Sequence, residues 1–524
     1  MKNSAGNTET TSLKTKATLR SDVHSDIGLH YLTSENELGD LLDDAVNSNS
    51  ADERVAAAQK ALQVSKEPCG MAHMILARES EVFDQALDYS QKAVASLQKE
   101  VEKLQSEESA NADDHYEASG ELYHFAVADL AQLKWNAGSQ KEATDLLMAQ
   151  FSPPLSQLDS AVQPLLVDLA TSFLIQMGEC KKAQEFLQGH PDNEAQWHYL
   201  NAVLHFALEG DTLVARSALA HGFASGSLLI ANRLVEKEAA AVSVSLRAFG
   251  LSRYIEDTEA AWLAVTGSLA WLAKVTADPQ NLSNRELLVI ATANGDTKRW
   301  QRWEDLLENA HHFAEKQNHK EARTALKTAL KEAERIDYSF LPFHATIAEL
   351  LDLYIDTQRP ANELIDSIEA RAAKFENSSD ALTALHIHSL ASLLEFFQQF
   401  DRAAAYHQKA LLIAERQLTG GQSFLTLFDL TDMRNDLAFV LFKMKNYDQA
   451  LPHFLKNAEI LQSFLGPAHW EILESLEQAY ECYVGMDDQV NADAVMARMK
   501  GIDSDFELND HDDDDCGSCD HDHH

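Results

Sequence analysis

The sequence predicts an all-α protein, an α-solenoid of helix hairpins in two arrays with disordered termini. From about residue 46 to 503 the chain is rich in Ala, Leu, Glu and Gln, and apolar residues recur at three- and four-residue steps. No convincing alternating strand pattern interrupts this stretch. Small residues also recur at regular intervals, as expected when a long helical chain with short polar breaks forms stacked hairpins.

Composition and charge limit the class of partner. The 524 residues are 45% hydrophobic and include only 10 prolines and 20 glycines, so the chain is long enough for more than one compact domain. The formal charge of −40 would repel phosphate backbones and anionic lipids, so we expect no nucleic acid and no membrane partner. An acidic surface kept for solubility and one selected for a basic partner both explain the charge.

Residues 1–45 are predicted to be a disordered N-terminal tail. Its first 22 residues lack the apolar centre of a secretory signal, and no later stretch approaches the roughly 20 apolar residues that span a bilayer. Five scattered cysteines fit a reducing compartment. We therefore expect a cytoplasmic protein.

Residues 46–275 form the first predicted array. Its hairpins are marked by four alanines at corresponding positions, Ala86, Ala143, Ala183 and Ala215. A glycine stands five residues before each of the last three, at Gly138, Gly178 and Gly210. The chain must turn between helices there, and glycine adopts a left-handed backbone most easily. The charged stretch 98–120 is interpreted as a long helix end and an exposed loop.

A linker is predicted at 276–300, which contains Pro279 and Gly295, and a second array at 301–503. Alanines recur in this array at steps of 39, 42, 47 and 42 residues, at Ala322, Ala361, Ala403, Ala450 and Ala492. Another alanine lies twelve residues upstream of three of them, at Ala310, Ala391 and Ala438. Small residues at both positions let paired helices approach closely.

These recurring Gly and Ala positions resemble the tetratricopeptide repeat, which implies a curved helical groove that binds peptides or folded proteins. Residues 50–275 resemble bacterial relatives of the suppression-of-tumorigenicity-seven family, most closely in RYIEDTEAAWLAVTGSLAWL. Residues 301–500 resemble kinesin-light-chain repeats, most clearly in MKNYDQALPHFLKNAEILQSFLGPAHWEILESLEQAY. Two departures, Ala361 directly after Pro360 and Asn457 in place of a usual alanine, indicate irregular packing of those repeats.

The sequence lacks the common catalytic motifs. There is no GxxxxGK[ST] or strand-borne GxGxxG phosphate loop, no HExxH and no GxSxG, so we predict that the chain is not an enzyme. His311, His312, His386 and His388 lack Cys or carboxylate partners at ligand spacing, which favours surface or capping roles. Most of the seven tryptophans are expected in the core.

The C-terminal tail, 504–524, has a different composition. It contains five candidate metal ligands, Cys516, Cys519, His521, His523 and His524. Two thiolates and imidazoles make the tetrahedral N/S set that Zn²⁺ accepts, and nearby aspartates concentrate cations. A solvated acidic tail without a metal role is the alternative interpretation.

The leading functional hypothesis is therefore a protein-interaction scaffold that binds an unidentified protein on surfaces lined by the first helix of each hairpin. The alternative is a metal-handling protein whose tail captures Zn, Ni or Cu. Apart from Zn at the tail, the sequence implies no cofactor.

Overall fold

The computed structural model describes residues 37–48, 50–105, 112–152, 162–192, 194–226, 231, 234, 252–277, 297–336, 341–357, 362–420, 425–504 and 506. Within these residues the regular elements are 22 α-helices and a short 3-10 turn at Ala149–Phe151, with no strand. The all-α prediction is confirmed. No helix in the described ranges is both long and apolar enough to cross a membrane.

The chain forms two compact units. The first comprises the described residues of Met1–Leu187 and Asn232–Leu269. Its helices are α1 (Glu37–Asn47), α2 (Ala51–Val64), α3 (Gly70–Glu79), α4 (Phe83–Gln105), α5 (Ala112–Asn136), α6 (Gln140–Met148), α7 (Gln163–Gln176) and, later in the chain, α11 (Ser252–Ala264). Helices α1 to α7 each pack against the next, and α11 packs against α7.

The second unit comprises the described residues of Gln188–Ala231 and Ala270–His524. Its helices are α9 (Ala195–Glu209), α10 (Leu213–Gly226), α13 (Thr297–Glu315), α14 (His319–Ala333), α15 (Leu341–Asp356), α16 (Asn362–Lys374), α17 (Ala381–Phe396), α18 (Phe400–Thr419), α19 (Leu427–Lys443), α20 (Tyr447–Leu465), α21 (Glu471–Gly485) and α22 (Gln489–Ile502). Two more helices, α8 (Cys180–Gln188) and α12 (Ser268–Ala277), lie where the chain passes between units. The linker predicted at 276–300 lies mostly outside the described residues.

Four helix pairs follow one another from residue 297 onward. Helix α13 packs on α14, α17 on α18, α19 on α20 and α21 on α22, and α18 and α20 also contact the helix that follows them. Successive helix pairs, as predicted, are therefore present in the described residues of this part of the chain.

The repeat alanines lie in the interior of the hairpins. All those described are buried, with at most 2% of their surface exposed: Ala86, Ala143, Ala183, Ala215, Ala310, Ala322, Ala391, Ala403, Ala438, Ala450 and Ala492. Ala361 lies outside the described residues. A methyl group at these positions lets the paired backbones approach, as the spacing predicted.

Positive φ recurs at the hairpin turns. Gly138 and Gly178 have φ of 83° and 78°; Gly210 has φ of 77° but ψ of −157°, so its turn has a different conformation. Before Ala322, Ala403, Ala450 and Ala492 the corresponding residue is not glycine, yet it has φ between 56° and 60°; these residues are Gln317, Gln398, Lys445 and Asp487. At Gln398, the backbone N–H bonds to Glu395 O at 2.7 Å and the next N–H bonds to Leu394 O at 2.9 Å. This is the Schellman pattern of helix ends.

A hairpin from the middle of the chain completes the second unit. Helix α10 packs on α19 and α20, more than 200 residues later in sequence. The Asn201 side-chain amide donates to Phe464 O at 2.6 Å, and the Leu427 backbone N–H donates to Ser217 Oγ at 2.9 Å. Because backbone groups of the repeats are satisfied by side chains of α9 and α10, this hairpin belongs to the core of the second unit.

Candidate functional site

The predicted metal ligands of the tail, Cys516, Cys519, His521, His523 and His524, lie outside the described residues. Zinc binding by the tail stays a prediction. The described thiols are free, and burial raises the pKa of Cys69 and raises that of Cys482 to about 12. Neither thiol has the lowered pKa of a reactive cysteine.

Polar side chains line the first helices of successive hairpins in the second unit. We call this surface the first-helix face: His344 on α15, His388 and Glu395 on α17, Asp429, Asp432 and Asp436 on α19, and Glu474 on α21. Two short contacts link neighbouring first helices: His344 Nδ1 lies 2.8 Å from Ser389 Oγ, and His388 Nε2 lies 3.5 Å from Asp436 Oδ2. The surface therefore continues from one hairpin to the next.

At α17 two residues of the face, His388 and Glu395, form a hydrogen-bonded chain with His407 on the adjacent second helix α18. His388 Nδ1 lies 3.2 Å from His407 Nδ1, and His407 Nε2 lies 2.7 Å from a carboxyl oxygen of Glu395. Burial lowers the pKa of His407 to about 4 and raises that of Glu395 to about 7. At neutral pH both imidazoles are therefore neutral, and Glu395 is partly protonated.

At α19 the face is acidic. Asp432 is exposed, but the protein around it and the carboxylates of Asp429, Asp436, Glu471 and Glu474 raise its pKa well above the usual value. Solvent weakens this rise in pKa but does not remove its cause, which is that several negatively charged groups lie close together. Among the described residues no basic side chain forms an ion pair with Asp432.

One of these carboxylates has a local structural role. Asp429 is the third residue of the capping box that begins α19, where its side chain accepts hydrogen bonds from the Thr426 backbone N–H and hydroxyl, both at 2.7 Å. Asp432 and Asp436 have no such role, because they lie one and two turns further along the same helix.

Several predictions for single residues can now be compared with the structure. His386 is buried and stacks on Phe375 at 4.4 Å, so the surface or capping role expected for it was wrong. His311 is exposed as expected and lies 2.8 Å from Glu349. Five tryptophans are buried, namely Trp197, Trp262, Trp271, Trp300 and Trp303. Trp470 is 44% exposed.

Sequence spacing missed the first-helix face because its members lie on different helices. His388 and Asp436 are separated by 48 positions, so no local ligand pattern joins them. The available signal was the helical spacing of Asp429, Asp432 and Asp436, which places three acids on one side of a helix.

Comparison with known proteins gives little more than the helical character of the chain. No family model and no curated protein matches it. Three solved structures are similar: the APC/C hetero-tetramer Cut9–Hcn1 (13% identity, 94% of this chain and 98% of that chain, TM-score 0.25), yeast Tom70 (12%, 89% and 91%, 0.27) and the monomeric mutant of IFIT1 with m7Gppp-AAAA (16%, 89% and 100%, 0.23). At these TM-scores nothing about partners follows from the three structures. The resemblances to suppression-of-tumorigenicity-seven relatives and kinesin light chains stay predictions.

Proposed function

We propose that the protein is a non-catalytic interaction scaffold whose first-helix face binds a basic segment of a partner protein. The observation that carries this proposal is the position of Asp432, which is exposed, has no basic partner among the described residues and lies close to other carboxylates. Repulsion among these carboxylates raises the free energy of the unbound protein. A bound Lys or Arg side chain would relieve it.

The geometry of stacked hairpins suits an extended segment. Packed helices lie about 8–10 Å apart, so each first helix offers side chains at regular steps along the stack. A segment lying across α17, α19 and α21 would meet His388, then Asp436 and Asp432, then Glu474. Base edges or phosphates would be a poor match for this surface, because its charge is negative.

The two ends of the face would recognise different groups. The α19 end carries carboxylates, which select cationic side chains. The α15–α17 end carries the imidazoles of His344 and His388, whose pKa values burial lowers to about 4, so they exchange hydrogen bonds without a net charge. We therefore expect the bound segment to be basic at one end and polar but uncharged at the other.

The test is binding of short synthetic peptides to the full-length protein. An array of peptides with varied Lys and Arg content should give binders enriched in basic residues, and their affinity should fall as salt increases. The double variant Asp432→Asn/Asp436→Asn should weaken binding of the best peptide by at least about tenfold, which corresponds to about 1.4 kcal/mol.

The matched control removes two acids from second helices of the same hairpins. Asp401 and Asp448 are exposed in the first turns of α18 and α20, so Asp401→Asn/Asp448→Asn changes the net charge equally but leaves the face intact. Its affinity should match wild type within about twofold. Equal weakening by both double variants would mean that only the overall charge acts, and the proposed face would be rejected.

A further inference from the structure

A second group of polar side chains lies inside the second unit, where α9 and α10 meet the start of α21. It contains His198 on α9, His221 on α10, His469 in the turn before α21, and Glu471, the first residue of α21. The His198 and His221 rings stack at 4.2 Å, and His198 and His469 lie 6.0 Å apart between ring centroids. Two parts of the chain about 270 positions apart supply these residues.

One of the imidazoles has ring nitrogens that no described residue satisfies. His198 is fully buried, and neither of its ring nitrogens has a hydrogen-bond partner among the described residues. His469 is also fully buried; its Nδ1 lies 3.3 Å from the Glu471 backbone N–H, and its ring also interacts with the Asp192 backbone. Two unsatisfied nitrogens on one buried ring call for a ligand.

The donor atoms converge on one another. One ligand atom from each of His198, His469 and Glu471 lies within 4.8 Å of the other two. A tetrahedral zinc ion with Zn–N bonds of about 2.0–2.1 Å holds its ligand atoms roughly 3.3 Å apart. Small side-chain rotations would therefore bring this set to coordination distance.

The residue types match metal binding. Two imidazoles and one carboxylate are a common ligand set for zinc.

His221 has the position of a supporting residue. Its Nε2 lies 2.9 Å from the Glu471 carboxylate, as in the histidine–carboxylate pairs that fix the orientation of metal ligands. The Glu471 side chain is 17% exposed, which gives an ion a route from solvent.

The other histidine group of the unit is a weaker candidate. His388, His407 and Asp436 also bring ligand atoms within 4.8 Å of one another. There, however, His388 and His407 already bond to each other and to Asp436 and Glu395. A metal ion would have to replace those hydrogen bonds, whereas at His198 it would satisfy free nitrogens.

We propose that His198, His469 and Glu471 bind one divalent transition-metal ion, with Zn²⁺ the best match to the ligand set, and that His221 orients the Glu471 carboxylate. The ion joins α9 to the beginning of α21. The ion is therefore a structural cross-link that stabilises the packing of the hairpin α9–α10 on the repeats, because its ligands come together only in the folded unit. This site is separate from the one predicted in the tail.

The test is titration of the full-length, metal-stripped protein with ZnCl₂, followed by calorimetry and by metal analysis after dialysis. His469→Gln should bind one equivalent of Zn²⁺ less than wild type, and Glu471→Gln should weaken that equivalent at least tenfold. His388→Gln is the matched control and should leave it unchanged. Cys516→Ser/Cys519→Ser should remove only a tail equivalent, which shows which site each equivalent occupies.

Folding is checked independently. In the presence of a chelator, Glu471→Gln should melt within a few degrees of wild type, because its side chain reaches solvent. Added Zn²⁺ should raise the Tm of wild type and of the tail variant, but not that of His469→Gln. The proposal would be overturned if both His469→Gln and Glu471→Gln bound zinc with the stoichiometry and affinity of wild type. It would also be overturned if His388→Gln lost the zinc equivalent that His469→Gln is expected to lose.

Discussion

His124 illustrates what a single buried imidazole does to a helical repeat. It lies on α5 in the first unit, is fully buried and has no hydrogen-bond partner for either ring nitrogen among the described residues. Burial lowers its pKa from the ordinary value of 6.5 to about 4. The folded first unit therefore holds His124 neutral under conditions in which the unfolded chain would protonate it.

This shift predicts acid sensitivity. A histidine whose pKa is lowered on folding contributes stability above pH 6.5 that is lost as the pH falls towards 4, and the shift corresponds to about 3 kcal/mol. His124→Phe should keep wild-type stability or slightly more at pH 7.5. Between pH 7.5 and 4 it should lose about 3 kcal/mol less than wild type, measured by urea unfolding at each pH.

The control is His312→Phe, at an exposed position of α13. It should follow the wild-type pH dependence, because its side chain is exposed to solvent and adds no buried imidazole. If His124→Phe loses stability with acid as steeply as wild type, then His124 is not held neutral in the folded protein.

At the scale of a single helix end, four hairpin turns after residue 297 are built from unfavourable residues. Gln317, Gln398, Lys445 and Asp487 have a left-handed backbone, which costs a residue with a side chain about 1 kcal/mol. The equivalent residues before Ala143, Ala183 and Ala215 are glycines. The repeat thus fixes the turn conformation whether or not glycine is present.

A matched pair of substitutions in one hairpin tests this conclusion. Gln398→Gly should raise the free energy of unfolding by about 0.5–1 kcal/mol, because it removes the left-handed strain. Gln408→Gly, at an exposed position inside α18, should lower it by about 1 kcal/mol. Urea unfolding of the two variants distinguishes them by sign, and destabilisation by both would show that the turn at Gln398 carries no strain.

The same position shows how far sequence reasoning reaches. The alanine spacing predicted the hairpins, and Gly138 and Gly178 predicted the turn conformation, since both are local properties of the chain. The same alanine register also places Gln317 and Lys445 at turns, although neither residue type suggests a left-handed backbone. The buried group of His198, His469 and Glu471 could not be predicted, because the packing of distant helices brings its members together and no spacing records it.

At the scale of the whole molecule, the second unit is assembled from two separate segments. Cutting the chain between them should not release the earlier segment. A specific protease site inserted between residues 283 and 290, outside the described ranges, should be cleaved to give two pieces that elute together in size-exclusion chromatography. Asn201 and Ser217 lie in the first piece and bond to Phe464 and Leu427 in the second.

The sequence-based division into arrays at 276–300 predicts the opposite result for this cleavage. Two independent arrays would separate as two peaks. Comparison with uncut protein at the same concentration therefore decides between a second unit built from two segments and two independent arrays. Separation of the two pieces without denaturant would show that α9 and α10 do not hold them together.

The segmented second unit also has a consequence for synthesis on the ribosome. Asn201 is translated 263 residues before Phe464, the residue whose carbonyl it binds. At about 5–20 residues per second, the hairpin α9–α10 emerges roughly 13 to 53 seconds before its partner. During that interval the apolar side of the hairpin has no partner within its own unit, and the unit closes only after Phe464 has been synthesised.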